Sequence, residues 1–249
     1  MSATLDATHS IRPRYIPGYA IRDDVSAESR RKGFADVEGW GNVSVLQNAG
    51  TTLKVERGKT IFRDGDLAEF SYRVIGGAVR LCKLFPDGRR QIVDFCLPGD
   101  FFGFGSPDEY ALTAEAVSDA TVIRYSRKHI EHLGRVSPDF RDHLMALLHR
   151  GLSSAQNHLF MLGRQTVKER VTSFLLMMLD RQGRAGENGD RLDLPMGRQD
   201  IADYLGLTIE TVCRALSDLK RNGAIKAPGT REIVVTNATL LRATAEGDA

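Results

Sequence analysis

The first 81 residues of this 249-residue chain contain no cysteine. That excludes an N-terminal cysteine cluster able to hold iron–sulfur or zinc. The whole sequence has only three, Cys82, Cys96 and Cys213. So odd and sparse a set fits a reducing compartment better than a disulfide framework. No stretch approaches the ~18 apolar residues that a membrane span needs. The opening MSATLDATHS has no apolar h-region, so no secretory signal is visible and the expected location is the cytoplasm. Charge of one sign is lacking too. The formal net charge is +2, so charge alone gives no argument for a nucleic-acid partner, and any such argument must come from local geometry. Residues 53–125 contain no histidine, which leaves a β-barrel there without the His/Glu set of a metal-dependent enzyme. His129 and His132 stand i,i+3 on an expected helix with no further ligands nearby. The expectation is no metal and no enzyme.

What is present is 42% hydrophobic and 27% charged, enough for a sizeable core in one large domain or two ordinary ones. Residues 1–44 read as an irregular arm with Pro13, Pro17, Gly18 and the basic run Arg30-Arg31-Lys32, and a short helix or turn is expected around Trp40. Residues 45–126 change to short alternating runs. "FSYRVIGGAVRLCKLF" and "RQIVDFCLPGD" flank Asp87-Gly88, which reads as a two-residue type I′ hairpin loop. "LTAEAVSDATVIRYS" adds two strands around Ser118-Asp119. Many short strands with glycine turns predict a β jelly roll of roughly 75 residues.

The period then lengthens. Residues 127–163 are expected to be helical, with Ser137-Pro138-Asp139 starting a long helix. Met145, Leu148, Leu152, Ala155, Leu159 and Leu162 recur at spacings of three and four along it. Leu144, Leu147 and Gly151 make a second strip. One strip can pack on the barrel and the other needs a partner, so a two-fold dimer is expected through the Met145–Leu162 strip, the alternative being one buried helix within a monomer. Residues 164–242 begin with a helix whose apolar face is Val167, Val171, Phe174, Leu175 and Met178. A polar loop, "RAGENGDRLD", follows, and "KAPGTREIVVT" reads as a two-stranded wing. Residues 243–249 are expected to be a tail.

Residues 198–222 carry the spacing of a helix-turn-helix. Ile201, Ala202 and Leu205 share one face of the first helix, which opens at Arg198. Gly206 permits the sharp turn. Thr208 is a good N-cap for the second helix. Val212, Leu216 and Leu219 form that helix's buried stripe, leaving Ile209, Glu210, Thr211, Cys213, Arg214 and Ser217 for solvent or ligand. In this motif the start of the second helix enters the major groove. Arg214 can pair with guanine and Glu210 can accept from a cytosine amino group. The two are i,i+4, so Arg214 is also expected to hold Glu210 in place.

Taken together, "YRVIGGAVRL…PDGRRQIVDFCLPGDFFG" and "MGRQDIADYLGLTIETVCRALSDLKRNGAI" resemble the sensor barrel and DNA-binding segment of the CRP/FNR superfamily of bacterial transcription regulators. The resemblance implies an α+β chain with a cyclic-nucleotide-binding-like jelly roll, a dimerisation helix and a C-terminal winged helix-turn-helix. It also implies a homodimer on a palindromic double-stranded DNA site, acting with RNA polymerase. Cyclic-nucleotide members pair a Glu soon after the glycine of GDFFG with a downstream Arg. Here Phe104 follows Gly103, and the later stretch is Tyr110-Ala111-Leu112-Thr113, which argues against cyclic AMP. Without the iron–sulfur cysteines, the chain is similar to the FixK group, whose members switch on microaerobic respiration and nitrogen-fixation genes. Ile209 stands where CRP-type helices carry Arg. An apolar side chain there suits a thymine methyl, so TTGAT-like half-sites are expected in place of a GTGA core. A regulator responding to a small ligand other than cyclic AMP is the alternative within the same fold.

Cys213 holds a position where FNR-type helices usually have Ser. It is either a small side chain against DNA or a redox-sensitive thiol, since the helix start and Arg214 favour a reactive thiolate. Cys82 and Cys96 lie in the hairpin. With the two-residue loop, 82 faces 93 and 96 faces 79, so the two thiols point to opposite faces and no internal disulfide is expected.

Overall fold

The computed structural model describes residues 46, 49–105, 108–182 and 190–247. The expected arm, its basic run and the turn around Trp40 lie outside the described residues. Eight short strands open the chain: β1 (Thr51–Val55), β2 (Thr60–Phe62), β3 (Phe70–Gly76), β4 (Val79–Leu84), β5 (Arg90–Cys96), β6 (Phe101–Phe102), β7 (Thr113–Ala116) and β8 (Ala120–Ser126). They form two antiparallel four-stranded sheets, ordered β1-β8-β3-β6 and β2-β7-β4-β5. This is the jelly roll that the alternation predicts. Side chains two apart share a face, so Tyr72, Val74, Val79, Cys96, Phe102, Ala114, Ala116 and Val122 meet between the sheets. Phe62 and Tyr110 stack with centroids 3.6 Å apart, and Tyr72 lies 5.1 Å from Phe102. Burial, reinforced by the hydrogen bond to Tyr110, holds the Tyr72 hydroxyl protonated far above the usual phenol range.

The β4–β5 hairpin differs from expectation in its loop. Phe85 N–H donates to Arg89 and Gly88 N–H donates to Phe85, which leaves Pro86, Asp87 and Gly88 as a three-residue loop with Gly88 at φ 83°. The reason is Pro86. It has no N–H to give to a two-residue hairpin, but its fixed φ suits the second position of a type I turn, and Gly88 then takes the left-handed position. Cys82 therefore pairs with Ile92, one residue from the expected partner, and a bulge between Leu81 and Cys82 restores Val79 opposite Cys96.

Helices follow: α1 (Arg127–Val136), α2 (Pro138–Arg164) and α3 (Val167–Gln182). Ser137 caps α2 by accepting from Phe140 N–H, and Pro138 occupies the first turn. Leu144 and Leu147 pack with Leu46, Tyr125, Ile130, Leu133 and Phe140 between α2 and the barrel. On α3, Val171, Phe174, Leu175 and Met178 are buried, whereas Val167 stays exposed.

The C-terminal unit contains β9 (Asp190–Asp193), α4 (Arg198–Leu205), α5 (Ile209–Arg221), β10 (Ile225–Lys226), β11 (Glu232–Val235) and α6 (Ala238–Ala245). Its sheet has three strands, β10-β11-β9, where two were expected. The end of the supposed polar loop is the third strand, because Leu192 alternates with polar neighbours and is fully buried. The expected tail is helical through Ala245, with Asn237 capping Leu240 N–H and Thr244 and Ala245 buried. Barrel and C-terminal unit share one apolar core. Cys82, Ile92 and Phe95 from the barrel join Phe174, Leu175, Tyr204 and Leu205, and the Phe95 ring lies 5.4 Å from Tyr204.

Candidate nucleic-acid interface

The turn between α4 and α5 is built from three local preferences. Gly206 sits at φ 63°, ψ 40° and ends α4; a side chain there would be strained and would meet Leu162 at 3.5 Å. Thr208 caps α5, its hydroxyl accepting from Thr211 N–H at 3.3 Å. Val212, Ala215, Leu216 and Leu219 fix the buried face. What remains outward is the expected set. Glu210, Cys213, Arg214 and Ser217 are exposed, with Ile209 and Thr211 half-buried beside them. The Ser217 hydroxyl donates back to the Cys213 carbonyl at 2.9 Å.

Glu210 and Arg214 do not close the expected ion pair. The carboxylate is held below its usual range first by its own backbone N–H, then by the Thr208 hydroxyl, with Arg214 a smaller contribution. Free amides at a helix start compete well for a carboxylate one position inside. Arg214 is exposed on the same face.

Arg198, at the start of α4, lies beside Cys213 on α5. Burial lowers its guanidinium, Cys213 opposes that shift, and Nη1 is buried without a hydrogen-bond partner. Cys213 is exposed, whereas Cys82 and Cys96 are buried in different cores, Cys82 in the shared one and Cys96 inside the barrel.

Along α2, Met145, Leu148, Leu152 and Leu159 are exposed, as is Ala155. Leu162 instead is half-buried near the Gly206 turn. Phe160, 66% exposed beside Leu159, extends the apolar stripe and was missed because it falls outside the three-and-four pattern. Also missed was a half-buried charge cluster where α4 meets the barrel: Arg80, Arg90, Glu115, Asp200 and Asp203. Its one sequence signal is the i,i+3 acidic pair on α4, which marks a face but no partner. Among the described residues, no group of three or more His, Cys, Asp or Glu could hold a metal, and no helix is long and apolar enough to cross a membrane.

A jelly roll followed by a long helix and a winged helix-turn-helix with an open recognition face defines a DNA-binding transcription regulator, not an enzyme. The Crp-like helix-turn-helix domain matches residues 169–244, and the cyclic nucleotide-binding domain matches residues 52–136. The nitrogen fixation regulation protein FixK of Azorhizobium caulinodans is 42% identical over 212 residues, covering 85% of this chain and 86% of that protein. The transcriptional activatory protein AadR of Rhodopseudomonas palustris is 40% identical over 167 residues, covering 67% and 70%. The structure of FixK2 from Bradyrhizobium japonicum superposes with a TM-score of 0.74 at 40% identity, covering 78% of this chain and 96% of that one. The chain belongs to the CRP/FNR superfamily, in its FixK-like group.

Proposed function

We propose that this chain is a cytoplasmic homodimeric activator that binds a palindrome of TTGAT-like half-sites and recruits RNA polymerase to microaerobic, respiratory or nitrogen-fixation promoters. The observation that carries the DNA reading is the outward face of α5. There Ile209 offers an apolar contact to a thymine methyl, while Glu210 and the exposed Arg214 offer an acceptor and a two-pronged donor to neighbouring base pairs. Thr208, Thr211 and Ser217 line the same face, and Arg198 stands where α4 would cross the backbone. The dimer reading rests on the unpartnered stripe Met145, Leu148, Leu152, Ala155 and Leu159, with Leu162 at its end turned toward the DNA-binding unit. The names of the A. caulinodans and R. palustris relatives support nitrogen-fixation control and activation. Phe104 after Gly103, with Tyr110-Ala111-Leu112-Thr113 downstream, and a first cysteine at Cys82 support a regulator that works without cyclic AMP or an iron–sulfur cluster.

Selection of bound sequences from random duplex DNA, followed by footprinting, tests the proposal. The expected result is an inverted TTGAT repeat with half-sites about one helical turn apart. A GTGA core, or a single unrepeated site, would overturn it. A redox reading of Cys213 is supported by its exposure on the DNA-reading face, beside Arg198.

A further inference from the structure

The contact between α4 and the barrel combines two kinds of interaction. Phe95, Phe174 and Tyr204 supply an apolar seam. Beside it lies the cluster of five charges. Arg80 Nη1 is 2.9 Å from Asp200, and its Nη2 is 2.7 Å from Glu115. Arg90 Nη2 is 2.8 Å from Asp200 and 2.7 Å from Asp203, while its Nε donates to Asp203 at 2.8 Å. All five side chains are between 13% and 20% exposed, so water screens them weakly. Asp203 also accepts from Gln199, and Asp200 accepts from Gly197 N–H. Gln91 donates to the Tyr204 carbonyl close by.

Apolar surfaces tolerate sliding, whereas a partly buried ion network satisfies its charges in only one register, and the uses of such networks are better attested in register than in stability. The cluster holds α4 through the carboxylates of its barrel-facing side, and α5 keeps its reading face open in that arrangement. The first helix of this motif crosses the DNA backbone. Two arginines against three carboxylates leave the cluster at −1; without the arginines it stands at −3.

We infer that Arg80 and Arg90 are positioning residues for DNA recognition: by pairing with the two carboxylates on the barrel-facing side of α4 they fix the helix-turn-helix at one angle to its own barrel. The inference rests on the dimeric DNA-binding reading above. Two recognition helices match two half-sites only if each is held at a set angle to the dimer body. The angle therefore matters for a palindrome and not for a lone half-site.

The test uses the full chain and three duplexes: one TTGAT half-site, two inverted copies about one turn apart, and the same pair with two base pairs inserted, which turns one half-site by about 70°. The intact protein should lose about tenfold or more of its affinity on the insertion, because simultaneous engagement is lost. Arg80→Gln with Arg90→Gln should cut that loss to about threefold or less and bind the half-site no more than about tenfold more weakly, since each hydrogen-bonded charge acts over a short range. Should the double substitution fail to fold by circular dichroism, Asp203→Asn, which keeps the shape, carries the same measurement. A folded variant that discriminates spacing as sharply as the intact chain overturns the inference alone. An intact protein that ignores spacing also overturns it. Failure of the intact protein to bind any of the duplexes overturns the TTGAT reading and this inference with it.

Discussion

Replacing Leu152 by alanine should weaken self-association while leaving each subunit's own fold intact. Leu152 is 59% exposed in the single chain and belongs to none of the three buried clusters. Full burial of a leucine side chain is worth about 1.5–3 kcal/mol, so the part still to be gained on pairing is roughly 1–2 kcal/mol. Two-fold symmetry presents the residue twice, giving roughly 2–3.5 kcal/mol per dimer, or a dissociation constant raised on the order of 20- to 300-fold. Sedimentation equilibrium at several concentrations measures that constant. Thermal melting at a concentration where both forms are monomeric should change by no more than about 0.5 kcal/mol, as for other surface substitutions. An unchanged dissociation constant would refute the argument that this stripe is the interface. A large drop in monomer stability would refute the claim that Leu152 has no role within its own chain.

Three further outcomes follow from other parts of the molecule. Ile209→Arg should shift preference from TTGAT-type toward GTGA-type duplexes by about 1–3 kcal/mol, the worth of one bidentate base pairing, and unchanged preference in a gel-shift titration would count against Ile209 as a discriminating residue. Peroxide should lower DNA affinity of the intact chain but not of Cys213→Ser; equal loss in both proteins removes Cys213 from the explanation. His158 is buried, with its ring stacked 4.0 Å from Tyr204 and Nε2 donating to the Tyr204 carbonyl at 2.8 Å. Burial pulls the imidazole below its usual 6.5, against hydrogen bonds to the Tyr204 and Val93 backbones. Its folded value being the lower one, the stability it contributes is present above pH 6.5 and is lost as pH falls through the folded value. The His158 contribution should therefore fall on acidification from pH 6.5 down to its folded value, opposed near pH 6 by Asp94, whose carboxyl burial raises to about 6, and the profile of His158→Phe should lack the His158 part of the loss; profiles of identical shape would show that His158 does not control it.

Local chemistry made much of the chain legible. Ser137-Pro138, Gly206 and Thr208 act within their own turns, and their roles could be read from neighbours a few residues away. The two strips of α2 were separable because a helix repeats every 3.6 residues. What escaped was non-local or competitive. Arg80 pairs with an aspartate 120 positions later, and nothing in either segment names the other. His158 and Tyr204 stack across 46 residues. Pro86 overrides the Asp-Gly signal because it lacks the N–H that a two-residue hairpin needs. Glu210 escaped because two partners of similar reach, a helix start and an arginine, competed for it. The strand Asp190–Asp193 was hidden by its polar alternate positions, with Leu192 its one apolar anchor.

The three thiols occupy three unlike surroundings: open solvent at Cys213, the seam between barrel and C-terminal unit at Cys82, and the barrel interior at Cys96. Burial holds Cys82 up at about 11 and Cys96 well above its ordinary value, so neither reacts while its surroundings stay closed. The chain thus carries its own set of chemical clocks. A thiol reagent would mark Cys213 at once, Cys82 each time the two units part, and Cys96 only when the sheets themselves separate, so the order of labelling reads out how the molecule opens.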